Sequence, residues 1–150
     1  MTRSRPAPVG EDCQAGIDLL ITRGLRLETL IEAIIDVAQV ARDAIKMPTD
    51  DEPKYYEVLG RPLWAVVHAY DAGDFAFKVD LDGKVPRTYI KIAHALAARL
   101  NVSIAWPDEA KRAANAAILC TPDGQVSPVS LEDIETDGDL VGFWILQGRV

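Results

Sequence analysis

Between Leu27 and Ile45, the apolar residues Leu27, Leu30, Ile31, Ile34, Ala38, Ala41 and Ile45 recur at three- and four-residue steps, the period of one helix face. At about 100° per residue, Ala33, Val37, Val40 and Ala44 fall on an adjacent face, while Glu28, Glu32, Asp36, Gln39 and Asp43 gather opposite them. The apolar arc then covers about 220°, where a simple surface helix needs roughly 100°. Such a helix has to be covered on two sides. Residues 14–23 form a shorter apolar run, separated from the long helix by Gly24, so an antiparallel helical hairpin is expected to supply one cover. A second copy of the chain is a candidate for the other, with Ala33, Val37, Val40 and Ala44 as the oligomer interface.

A chain of 150 residues suits one globular unit around a single core. Residues 1–12, rich in Pro, Arg and Ser, read as a flexible lead-in, and 13–47 as the helical segment. Residues 48–54 hold two prolines and the acids Asp50, Asp51 and Glu52, which makes them an acidic linker to an α+β domain over 55–150. There the period changes. Tyr55 to Leu59, Leu63 to Tyr70 and Phe75 to Leu81 are short aromatic and β-branched runs bounded by turn residues. In the last of them Phe75, Phe77, Val79 and Leu81 share one face, with Lys78, Asp80 and Asp82 on the other, the pattern of a half-buried antiparallel strand.

Pro86 opens a helix in which Tyr89, Ile92, Ala93, Leu96, Ala97 and Leu100 keep helical spacing as far as Asn101. Further strands are expected over Val102 to Trp106, on both sides of the hairpin signal Pro122-Asp123-Gly124, and over Val141 to Leu146. Trp64, Trp106 and Trp144 all fall in strands and are expected in the core. The expected fold is α+β: an N-terminal helical segment with a long amphipathic helix, then a mostly antiparallel sheet of about six or seven strands with one further helix packed on it.

Sixteen Lys and Arg stand against 23 Asp and Glu, a formal charge of −7, which disfavours a nucleic-acid partner because phosphate binding draws on excess basic charge. No stretch approaches the roughly 20 apolar residues that span a bilayer, so a cytoplasmic protein with no membrane partner is expected. Cys13 and Cys120 are too few for a disulfide framework or zinc knuckle and read as buried or idle thiols. The fragment Asp133 to Gly138 resembles the opening of an EF-hand loop, but Trp144 stands where the bidentate Glu belongs. Asp80-Leu81-Asp82-Gly83 fits less well still, with Lys78 and Tyr89 at its outer ligand places. Neither a metal nor a cofactor is expected.

The common acyl-transfer and phosphate-binding motifs do not occur. Only His68 and His94 can act as bases. His68 sits in an apolar run and reads as a strand histidine; His94 lies near the polar boundary of its helix without an HExxH partner. Lys84, Arg87 and Lys91 form a short positive stripe that reads as a solvated face.

The acids carry the functional expectation. Glu132, Asp133, Glu135, Asp137 and Asp139 crowd into eight residues as an acidic loop, suited to meeting a basic protein through charge complementarity. The expected function is a small acidic protein-binding module that performs no chemistry, such as an inhibitor of the immunity or antitoxin kind. One alternative is a structural or assembly protein, a homodimer or larger homo-oligomer joined through the long helix. Another is a small metal-independent hydrolase or isomerase using His68 or His94 with an acid such as Asp80.

Overall fold

The computed structural model describes residues 13–47, 63–83, 88–108, 110–111 and 115–146. Leu19, Leu20 and Ile21 are all buried, so the segment that carries them needs cover on both sides. That segment is strand β1 (Cys13–Thr22), antiparallel to β5 (Phe75–Gly83) on one side and β6 (Ile104–Pro107) on the other. The helical hairpin expected over residues 14–23 is therefore replaced by a central strand. A short continuous apolar run has no period, and a strand buried on both faces cannot be told from a buried helix in it.

Helix α1 (Leu27–Ala38) begins at the expected residue but stops seven short of Ile45. Gln39 takes a left-handed conformation with φ 60°, and the chain passes through a 3-10 turn (Arg42–Ala44) into the two-residue strand β2 (Ile45–Lys46). Three strands follow: β3 (Leu63–Ala69), the short β4 (Ala72–Gly73) and β5. Helix α2 (Tyr89–Leu100) is capped by the Thr88 hydroxyl, which accepts from the Lys91 amide at 3.3 Å. It leads into β6, β7 (Ala116–Cys120), β8 (Val126–Thr136) and β9 (Asp139–Leu146).

The nine strands among the described residues belong to one sheet, in the order β2-β3-β5-β1-β6-β7-β8-β9-β4. The pairs β2–β3 and β4–β9 are parallel and the others antiparallel. The α+β class therefore stands, with two α-helices and nine strands among the described residues in place of a helical segment and six or seven strands. Residues 1–12, the linker 48–54, the run Tyr55 to Leu59, and Lys84 and Arg87 lie outside the described residues.

Both helices pack against one face of the sheet, where Leu30, Ile34, Ile92 and Leu96 meet Leu19, Ile21, Val79 and Leu81 in the larger core. The wide arc of α1 finds its two covers inside the chain: the sheet beneath it, and α2 beside it. An ion pair between Asp36 and Arg99 ties the helices at the surface. Ala33, Val37, Val40 and Ala44, expected at an oligomer interface, are buried in this same core, so a dimer formed through them would first have to open it.

The opposite face holds a second, smaller core of Leu20, Phe75, Ala105, Ala117, Leu119 and Leu131. Phe75 reaches it through a bulge. Ile21 pairs with Phe77 but Thr22 pairs with Phe75, which leaves Ala76 as an extra residue and reverses the side on which Phe75 emerges. The expectation that Phe75 shares a face with Phe77, Val79 and Leu81 is corrected accordingly.

The sheet curls until its last strands meet the tip of the β3–β5 hairpin, which makes this smaller face the inside of a cup. There β4 pairs with β9 through Ala72–Gly142 and Gly73–Phe143. The Asp74 amide donates to the Phe143 carbonyl at 2.8 Å, and its carboxylate accepts from the Ile145 amide at 2.7 Å. From the other side Arg23 donates to the carbonyls of Gly73 at 2.8 Å and Tyr70 at 3.2 Å. The Tyr70 and Phe143 rings meet edge to face, with centroids 5.7 Å apart.

Candidate functional site

Asp137 and Gly138 both have positive φ, 55° and 84°, the geometry of a two-residue turn that matches the twist of its strands. They join β8 and β9 into a long ribbon. The expected acidic loop is thus mostly strand: Glu132, Asp133 and Glu135 lie on β8, Asp137 in the turn and Asp139 at the start of β9, all five exposed. Pairing along β8 also removes any calcium-loop geometry from Asp133 to Gly138. Among the described residues no three His, Cys, Asp or Glu side chains gather as a metal site.

The ribbon also carries most of the exposed large apolar side chains among the described residues. Of five exposed large hydrophobic residues among those described, Val126, Leu140, Trp144 and Leu146 lie on it, and only Ile90 does not. Trp144 is 48% exposed, against 9% for Trp64 and 5% for Trp106, so the expectation that all three tryptophans are core residues fails for Trp144. The cause is positional. The core under the helices ends at Ile118 and Cys120 on β7, and Trp144 pairs with Glu132 two strands farther out.

Behind the ribbon, the cup encloses a cavity of about 320 Å³ lined in part by Asp18, Leu20, Tyr70, Lys78, Asn115, Ala117, Leu131, Leu140 and Phe143. Its charges come from neighbouring strands. Asp18 on β1 stands opposite Asp80 on β5, and Lys78 stands between Leu20 on β1 and His68 on β3. Among the described residues no ion pair joins Lys78 to either carboxylate. On the ribbon side, the Asn115 amide donates to the Asp133 carboxylate at 3.0 Å.

Burial perturbs these groups. It holds the Asp80 carboxyl above its ordinary range, with Asp18 adding to the shift and Lys78 opposing it. Burial also lowers the His68 pKa, Lys78 lowers it further, and Asp18 opposes. The Tyr70 hydroxyl is pushed up by burial, then by Asp18 and Asp133.

These shifts give a pH signature. Because the folded state binds the Asp80 proton more tightly than the unfolded chain, Asp80 subtracts stability as pH rises above the ordinary Asp value of 3.8. Asp80→Asn is expected to melt above the parent at neutral pH and to lose that advantage below pH 3.8. Melting curves across this range check it; an advantage independent of pH would refute the assignment.

His94 lies elsewhere, on α2, with Nδ1 3.4 Å from the Cys120 sulfur and its ring 6.2 Å from that of Trp106. Cys120 is buried and free, and burial followed by the charge of Asp123 pushes its thiol pKa up, the reverse of an activated nucleophile. Among the described residues neither histidine hydrogen-bonds a carboxylate.

No protein-family model, curated protein or solved structure matches the chain.

The ribbon acids were legible in the sequence, but the cup lining was largely missed. Asp18 carried a signal, as a single acid inside an apolar run. Tyr70, Lys78 and Asn115 carried none, because strands far apart in sequence bring them together.

Proposed function

We propose that this protein is a binding module that recognises a basic protein through the β8–β9 ribbon. One coincidence carries the reading: Glu132, Asp133, Glu135, Asp137 and Asp139 share a single ribbon with four of the five exposed large apolar side chains among the described residues. Apolar surface rimmed by charge is characteristic of interfaces, where buried aromatics supply affinity and charge governs encounter and partner choice. Trp144, flanked by Glu132, is the anchor in this arrangement. An inhibitor of the immunity or antitoxin kind would act in this way, covering a basic site on its target.

The test is capture from lysate of the source cells at low salt, run in parallel with the parent, with Trp144→Ala, and with all five acids changed to their amides. The parent is expected to retain a basic protein that added salt releases and that neither variant holds. With the purified pair, Trp144→Ala should weaken binding roughly thirtyfold, as loss of a central aromatic does. An empty parent column, or retention that neither salt nor the variants alter, would overturn the proposal.

A further inference from the structure

Asp18 and Lys78, of opposite charge, both line the cup cavity, and no ion pair joins them. They sit diagonally across the β1–β5 pair, because Leu20 is opposite Lys78 and Asp18 is opposite Asp80. Diagonal neighbours of this kind stand roughly 7–8 Å apart, leaving room for two ends of one small molecule between them. The walls nearby are apolar: Leu20, Ala117, Leu131 and Phe143. A volume of about 320 Å³ lies at the lower end of the range for small-molecule sites and suits a compact ligand.

We propose that the cup binds a small zwitterion with an apolar side chain, of the chemical class of a free α-amino acid. Its ammonium lies against Asp18, its carboxylate against Lys78, and its side chain against the apolar walls. Such a ligand supplies each unpaired charge with a partner inside a half-enclosed space, where charge-assisted hydrogen bonds gain strength. Asp80 and Asp133 add negative charge close by, so the ammonium is the stronger of the two anchors. Both charged anchors, Asp18 on β1 and Lys78 on β5, lie off the ribbon, so the inference is tested without the ribbon's partner.

The experiment uses three probes of matched shape: phenylalanine, phenethylamine, which lacks the carboxylate, and 3-phenylpropionate, which lacks the ammonium. Amide chemical shifts of the intact protein report binding at Leu20, Lys78 and Ala117. Phenylalanine is expected to bind tightest, phenethylamine next and 3-phenylpropionate weakest, with about tenfold or more between the first and last. Asp18→Asn should weaken phenylalanine and phenethylamine alike. Lys78→Met should weaken phenylalanine while leaving phenethylamine as tight or tighter, which a merely structural loss would not do. Asp18→Asn removes one of two facing like charges, and its melting curve verifies that it folds. The inference is overturned if 3-phenylpropionate matches phenylalanine, if phenethylamine exceeds it, or if no probe gives a saturable shift below about 10 mM.

Discussion

Phe75→Ala is expected to cost about 3–5 kcal/mol, the range for deleting a fully buried aromatic side chain. Phe75 is completely buried, and among the described residues it is the one fully buried aromatic in the smaller core. Its neighbours cannot refill the space, because Ala105 and Ala117 have no side chain to extend and Leu20, Leu119 and Leu131 are held in strands. At this chain length the loss corresponds to a thermal midpoint lower by roughly 10 °C. Calorimetry measures it directly; a cost below about 1 kcal/mol would mean that the cup collapses onto the gap and is not a packed core.

Gly142→Ala is expected to release the closure of the sheet. A methyl group at Gly142 would overlap the carbonyl oxygen of Ala72, and one at Gly73 would overlap the backbone of Phe143. Both collisions are with main chain, which cannot rotate away as a side chain can. Strand β9 would then have to part from β4, forfeiting the bonds from Asp74 to Phe143 and from Ile145 to Asp74. The combined strain and lost hydrogen bonding should cost about 2–4 kcal/mol. Hydrogen exchange locates the effect: the Asp74 and Ile145 amides should lose protection while the Leu19 and Ile21 amides in β1 keep theirs apart from the global drop. Unchanged protection at Asp74 and Ile145 would show that β4 and β9 are not latched together.

The closure also bears on the two functional proposals. It brings Leu131, Leu140 and Phe143 of the ribbon around one cavity with Leu20 and Ala117 of the central strands, so the ribbon proposed to meet a partner is also a wall of the cup. Gly142→Ala should therefore disturb binding of the small zwitterion, whereas Trp144→Ala, on the outer side of the ribbon, should leave it intact.

Much of the fold was legible because it is written in local periods. Helix α2 runs over nearly the expected residues, since Tyr89 to Leu100 keeps one clean apolar face and Thr88 caps it. Alternation in β5 located that strand, and Pro122-Asp123-Gly124 located the turn between β7 and β8. The start of α1 and its need for cover on two sides were legible too. Its end was not, because Val40 and Ala44 go on facing the core after the helix has stopped, which extends the helical pattern beyond the helix.

What the amino-acid order determined by itself was which residues require burial and, where the period is clear, in what kind of element. Only the tertiary structure decided what buries them. The run around Leu19 became a strand because β5 and β6 were there to pair with it, and α2 covers the flank of α1. Phe75 was turned into the cup by one bulged residue, and Trp144 was left half exposed because the larger core does not extend past β7. A periodic pattern is a property of neighbours in sequence, whereas burial depends on elements tens of residues away, and the sheet's curl brings those elements together.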